Sequence, residues 1–171
     1  MFAIGTCQTA NAYLLDLLSY GNRGDATIVE SGRWDIPAVM ESKMREVSRP
    51  VLSDVGCRFS GDAGIEVYPV QSSNLYLDRG LVLYGRYPVT AANLVFQAVG
   101  QAGDVRCDMI FQVNLREARK SDDKAIRLNW ASQKIYNLIS RYARQRDPAV
   151  LDEMVETSDG YRVRIPYRRG F

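Results

Sequence analysis

From Pro50 to about Leu115 the apolar residues recur at every second position, and that period limits the fold more than any other feature of the chain. Val51, Ser53, Val55, Cys57 and Phe59 alternate with Leu52, Asp54 and Arg58. Val105, Cys107, Met109, Phe111 and Val113 alternate with Arg106, Asp108, Gln112 and Asn114. Successive side chains of a strand point to opposite faces, so this pattern predicts strands with one face on a core and one in water, as antiparallel sheets have. Strands are expected over 51–59, 65–69, 93–99 and 105–115, with Gly61, Gly64, Gly80, Gly100 and Gly103 at turns. In their middle, Leu81-Val82-Leu83-Tyr84-Gly85-Arg86-Tyr87 lies between Asp78-Arg79-Gly80 and Pro88. It reads as one buried strand around which the module is organised.

Before Pro50 the period is helical. Phe2-Ala3-Ile4-Gly5 is a short apolar strand. Thr9 or Asn11 caps a helix that carries Leu14, Leu15, Leu17 and Leu18 and stops at Gly21. A second strand, 26–30, follows the turn Asn22-Arg23-Gly24-Asp25. Asp35 then caps a second helix, with Pro37 tolerated in its first turn. Ile36, Val39, Met40, Met44 and Val47 line its apolar side as expected core residues, and Arg49-Pro50 ends it. Strand–helix–strand–helix is the order of an α/β sheet, yet four elements cannot cover both faces of one. Residues 1–50 therefore read as the end of an α/β domain, with an unpaired apolar edge at 2–5. That edge is expected to pair with 26–30, with the β module, or with a second copy in a homodimer.

After 115, residues 116–124 form a charged connector. Ala131, Ile135, Leu138, Ile139 and Tyr142 mark an amphipathic helix that ends at Asp147-Pro148. Residues 152–158 read as a polar connector and 161–167 alternate like a last strand. The expected fold class is α+β. A partial α/β segment (1–50) precedes an antiparallel β-sandwich-like module (51–115), and a connector, a packing helix and a C-terminal strand or tail (116–171) follow.

Composition narrows the chemistry. The 171 residues include no histidine, which removes the commonest general base and metal ligand. A net charge of +2 gives no strong pull toward nucleic acid. Cys7, Cys57 and Cys107 show no metal-ligand or redox spacing and read as small buried hydrophobes. No apolar run approaches the ~20 residues needed to cross a bilayer. Nucleophile elbows, phosphate loops and dinucleotide fingerprints are missing. The paired acids Asp122-Asp123 and Asp152-Glu153 sit in polar connectors. Trp34 and Trp130 read as core anchors at helix starts, and Arg23-Gly24-Asp25 as a polar turn rather than an integrin ligand. No catalytic residue, metal site or cofactor is expected. Lys134, Arg141 and Arg144 form a stripe beside the apolar face of the 124–146 helix, and Arg162, Arg164, Arg168 and Arg169 follow in the tail. A solvated helix flank and a charge-protected edge strand account for these, and an anionic surface is the alternative contact for them.

Three stretches, taken in order, resemble one family. Phe2-Ala3-Ile4-Gly5-Thr6 followed by Asn11-Ala12-Tyr13-Leu14-Leu15 is similar to the last strand and following helix of a von Willebrand factor type A domain. Arg49-Pro50-Val51-Leu52-Ser53-Asp54-Val55 resembles the exit from that domain in bacterial relatives of the inter-alpha-trypsin inhibitor heavy chains. Gly85-Arg86-Tyr87 and Leu128-Asn129-Trp130-Ala131-Ser132-Gln133-Lys134-Ile135 resemble the β module and helix that follow there. The resemblance spans 1 to about 146. It implies a protein-binding module. The family's metal-dependent adhesion loop, an Asp-x-Ser-x-Ser, does not occur in the sequence. The resemblance thus begins at the domain's final strand and implies a domain truncated before its metal-site loops.

Overall fold

Ala3–Gly5 (β1) and Ala26–Ile28 (β2) pair in parallel, Ala3 with Ala26 and Gly5 with Ile28, across the helix Ala12–Gly21 (α1). The structure is a computed structural model. It describes residues 2–7, 9–30, 32–60, 64–70 and 73–165. Among these, four α-helices and eight strands, with antiparallel sheets beside the parallel β1–β2 pair, give an α+β fold. Two units divide the chain. The first holds residues 1–58, 71–82 and 96–111; the second holds 59–70, 83–95 and 112–171.

In the first unit Asn11 caps α1, its side-chain oxygen accepting from the Leu14 amide at 3.0 Å. Gly5 lets the helix close on the strand: a Cβ there would stand 2.9 Å from Leu15 Cδ1. The strand 2–5 thus takes one of its expected partners, 26–30. A 3₁₀ turn, Arg33–Asp35, leads into the helix Ile36–Val47 (α2), where Asp35 stands at the N-cap but makes no side-chain capping bond.

The core assignments for α2 need correction. None of its residues is buried, Met40 and Met44 are exposed, and Trp34 is 82% exposed with the Arg33 guanidinium stacked on it. Ile36, Val39 and Val47 are half-buried on the same side as Lys43 and Glu46, and the Lys43 ammonium binds Glu46 at 2.8 Å and Asp25 at 3.3 Å. The apolar stripe is thus only partly covered, and the anchored Lys43 takes the inward place expected of Met40 and Met44.

Pro50–Ser60 (β3), Ser73–Tyr76 (β5), Asn93–Ala102 (β7) and Val105–Asn114 (β8) form a four-stranded sheet ordered β5-β3-β7-β8. The sequence reading predicted β3, β7 and β8 within a few residues but not β5, and it misplaced part of one face. Leu52 and Val55 are the buried pair on β3, while Val51 is exposed. Between them the β3–β5 register slips, and Asp54 adopts a left-handed φ of 51°. A bulge of this kind inserts one residue, so Leu52 and Val55, three positions apart, share one face, and the register slips again between Pro50 and Leu52.

In the second unit Glu66–Tyr68 (β4) and Tyr84–Arg86 (β6) pair antiparallel, Val67 opposite Gly85. The stretch 81–87 is thus not one buried strand. Three of its residues are strand, and Val82, Gly85, Arg86 and Tyr87 are exposed. With a partner only three residues long, β6 is an edge and cannot organise a module. Lys124–Gln145 (α3) and Pro148–Tyr161 (α4) pack on each other, burying Ile135, Leu138, Val150 and Met154.

The last helix replaces the expected polar connector. Arg146 caps α3 in the left-handed conformation, its amide donating to Tyr142 O at 2.8 Å. Asp147 then caps α4 by accepting from the Ala149 amide at 2.9 Å, with Pro148 in the first turn. Asp-Pro stops one helix and starts the next. The strand expected over 161–167 is also corrected: Tyr161 ends α4, and 163–165 are not strand. Residues 166 and 167 lie outside the described residues.

Candidate binding cleft beside Trp130

Asp123 fixes the start of α3, its carboxylate accepting from the Ala125 amide at 2.8 Å. Nearly two turns in, Trp130 is buried at 3% exposure. Its indole N–H donates to the Glu66 carbonyl at 3.2 Å, which ties α3 to the β4–β6 ribbon. Tyr68 meets the ring edge-on at 6.1 Å and Tyr161 of α4 lies tilted at 5.4 Å. Trp130 is therefore the core anchor expected of it.

Below the tryptophan, Lys134 is drawn inward. Its ammonium lies 2.8 Å from Glu66 Oε1 and 2.9 Å from Glu153 Oε1, and 5.4 Å from the Trp130 ring centroid. Burial acts to lower the Lys134 pKa. Hydrogen bonds from the ammonium to Glu66 and Glu153, and the charges of those acids, outweigh it and hold the pKa above that of a free lysine.

On the other side of Trp130 the surface opens into a cleft of about 190 Å³, lined by Gly85, Arg86, Ile126, Arg127, Trp130 and Tyr161. The Arg86 guanidinium stands 5.0 Å from the Trp130 ring centroid. Neither Arg86 nor Arg127 has a carboxylate partner among the described residues. One guanidinium thus stands over the aromatic floor and a second lines the same cleft, an arrangement suited to a carboxylate or phosphate joined to an apolar body. The lining holds no carboxylate, serine or cysteine, so neither a nucleophile–base pair nor a pair of acids is assembled there.

The candidate anionic contacts fall elsewhere. Lys134 is occupied by its two glutamates. Arg141 and Arg144 are exposed on the last turns of α3, with Arg144 Nε donating to its own helix at Ser140 O, 3.0 Å away. Arg162 is the exposed left-handed cap of α4, and Arg164 is exposed beyond it. Arg168 and Arg169 lie outside the described residues. Arg86 and Arg127 were not singled out, although Arg127 precedes Trp130 by three positions and so shares its helix face.

Arg23-Gly24-Asp25 is engaged within its own unit: Arg23 pairs with Asp54, and Asp25 accepts from Lys43 and Arg79. Cys7, Cys57 and Cys107 are free thiols; Cys7 is exposed rather than buried as expected, Cys57 and Cys107 are half-buried, and burial pushes the Cys57 pKa up. Among the described residues no three metal-ligating side chains converge, and no helix is long and apolar enough to cross a membrane. No family model matches the sequence, and no curated protein matches it.

Proposed function

We propose that this chain is a non-catalytic interaction module that captures an acidic segment of a partner protein in the Trp130 cleft. The observation that carries the reading is that Arg86 and Arg127 line one cleft with an aromatic floor and have no carboxylate partner among the described residues. A carboxylate side chain fits the forks, and the rest of a peptide can lie on Ile126 and Tyr161. The resemblance to the von Willebrand A family points to protein binding too.

Titration calorimetry with a glutamate-rich peptide tests it. Binding is expected to weaken with salt, and roughly tenfold or more in Arg86→Ala and in Arg127→Ala, since each loses a charge-assisted hydrogen bond. Peptide binding that ignores both substitutions sinks the proposal. So does hydrolase or transferase turnover by the pure chain that a single carboxylate substitution abolishes.

A second reading rests on the exposed Arg141, Arg144, Arg162 and Arg164, which suit a polyanion such as nucleic acid or heparin. Salt-sensitive retention on heparin, removed by Arg→Glu changes there and kept in Arg86→Ala, would favour it over the cleft.

A further inference from the structure

The outer edge of β8 carries no strand among the described residues, and its side chains stand out on both faces: Val105 is 65% exposed and Ile110 74%. We propose that this edge pairs with the same edge of a second copy, antiparallel about a two-fold axis at Cys107. Each Arg106 then lies opposite the partner's Asp108. The proposal is independent of the cleft.

The geometry of the hairpin leads there. A two-residue turn, Gly103-Asp104, with Gly103 at a φ of 59°, joins β7 to β8. Phe96 stacks on Phe111 at 5.0 Å, which sets the register. Val105, Cys107, Met109 and Phe111 therefore share the face of Phe96 and the buried Ala98, and Arg106, Asp108 and Ile110 share the other. In a hairpin closed by two residues the flanking pair is hydrogen-bonded, so the odd-numbered residues of β8 bond to β7. The N–H and C=O groups of Arg106, Asp108 and Ile110 then point to the open edge.

Charge selects the occupant and the register. Asp108 accepts from the neutral Gln97 amide at 2.8 and 2.9 Å, and among the described residues it meets no cation and Arg106 meets no acid. Centring a two-fold pair on Arg106 or on Asp108 sets like charges opposite each other. A centre at Met109 leaves Arg106 facing glutamine and Asp108 facing isoleucine. At Cys107 the two opposite charges meet twice, and Val105 faces Met109 on the apolar side. Cross-strand opposite charges stabilise such pairing and like charges disfavour it.

Sedimentation of the full chain tests the pairing. A reversible dimer is expected, weakened roughly tenfold or more by Asp108→Arg and by Arg106→Asp, and restored by the double exchange Arg106→Asp/Asp108→Arg. Cys107 would face its symmetry mate at a non-hydrogen-bonded position, within disulfide reach. Diamide as the oxidant should then trap a covalent dimer in Cys7→Ser/Cys57→Ser and none in Cys107→Ser. A chain that stays monomeric at every soluble concentration overturns the proposal. A dimer indifferent to both folded single-charge variants, or trapped through Cys7, also overturns it.

Discussion

Each unit holds a lysine drawn in between two acids, and the two arrangements differ in how far they reach. Lys43 takes Glu46 from its own helix and Asp25 from the start of β2, and Asp25 also accepts from Arg79 at 3.1 Å. Lys134 takes Glu66 from a distant strand and Glu153 from α4, with no second cation. Both ammonium groups are nearly covered, at 15% and 12% exposure. The first cluster balances two cations against two acids and is partly redundant. The second joins three elements through one positive charge. Redundancy, more than burial, should decide what each is worth.

An aromatic ring accompanies each cluster, and the rings should show the largest contrast. Phe2 lies 5.1 Å from the Arg79 guanidinium and is half-buried, whereas Trp130 is buried. Trp130→Ala is expected to cost roughly 3–5 kcal/mol in urea unfolding, and Phe2→Ala roughly 1 kcal/mol. Equal losses would break the comparison. Next come the lysines. Lys134→Ala should cost about 2–3 kcal/mol because two half-covered carboxylates are left facing each other. Lys43→Ala should cost about 1 kcal/mol, since Arg79 still serves Asp25.

A smaller effect sharpens the same point through pH. Burial alone would lower both lysine pKa values, but the acids hold them above the free value. A group whose folded pKa is raised contributes stability fully below its unfolded pKa, about 10.4 for lysine, and loses it as pH rises through the folded value. The alkaline fall in stability above about pH 10.4 should therefore be shallower in Lys134→Met than in the wild-type chain. An unchanged fall would mean that Lys134 is not coupled to its acids in solution. The smallest contrast is between the caps: Asn11→Ala and Asp147→Ala should each cost about 1 kcal/mol and leave the two units alike.

The long elements were legible because their periods are long. β3 and β8 each repeat the alternation several times, β7 is a long apolar run, and α3 carries Ala131, Ile135, Leu138 and Ile139 at helical spacing. α4 was hidden by its polar residues. Its buried positions, Val150, Met154 and Thr157, keep a helical interval, but Asp147-Pro148 was weighed as a terminator alone. The methionines of α2 misled because hydrophobic spacing reveals an apolar stripe without revealing what covers it. The cleft was hardest to see. It depends on Arg86 and Trp130 meeting across more than forty residues, and only the tertiary structure brings them together.

The residue inserted at Asp54 has a consequence for the chain's history. Loss of that single position would be absorbed: Leu52 and Val55 would stand two apart and still share one face. A residue gained between them, with no second bulge to take it up, would turn the start of β3 inside out and send Leu52 into water. Losses at the bulge should therefore be tolerated where gains beside it are refused.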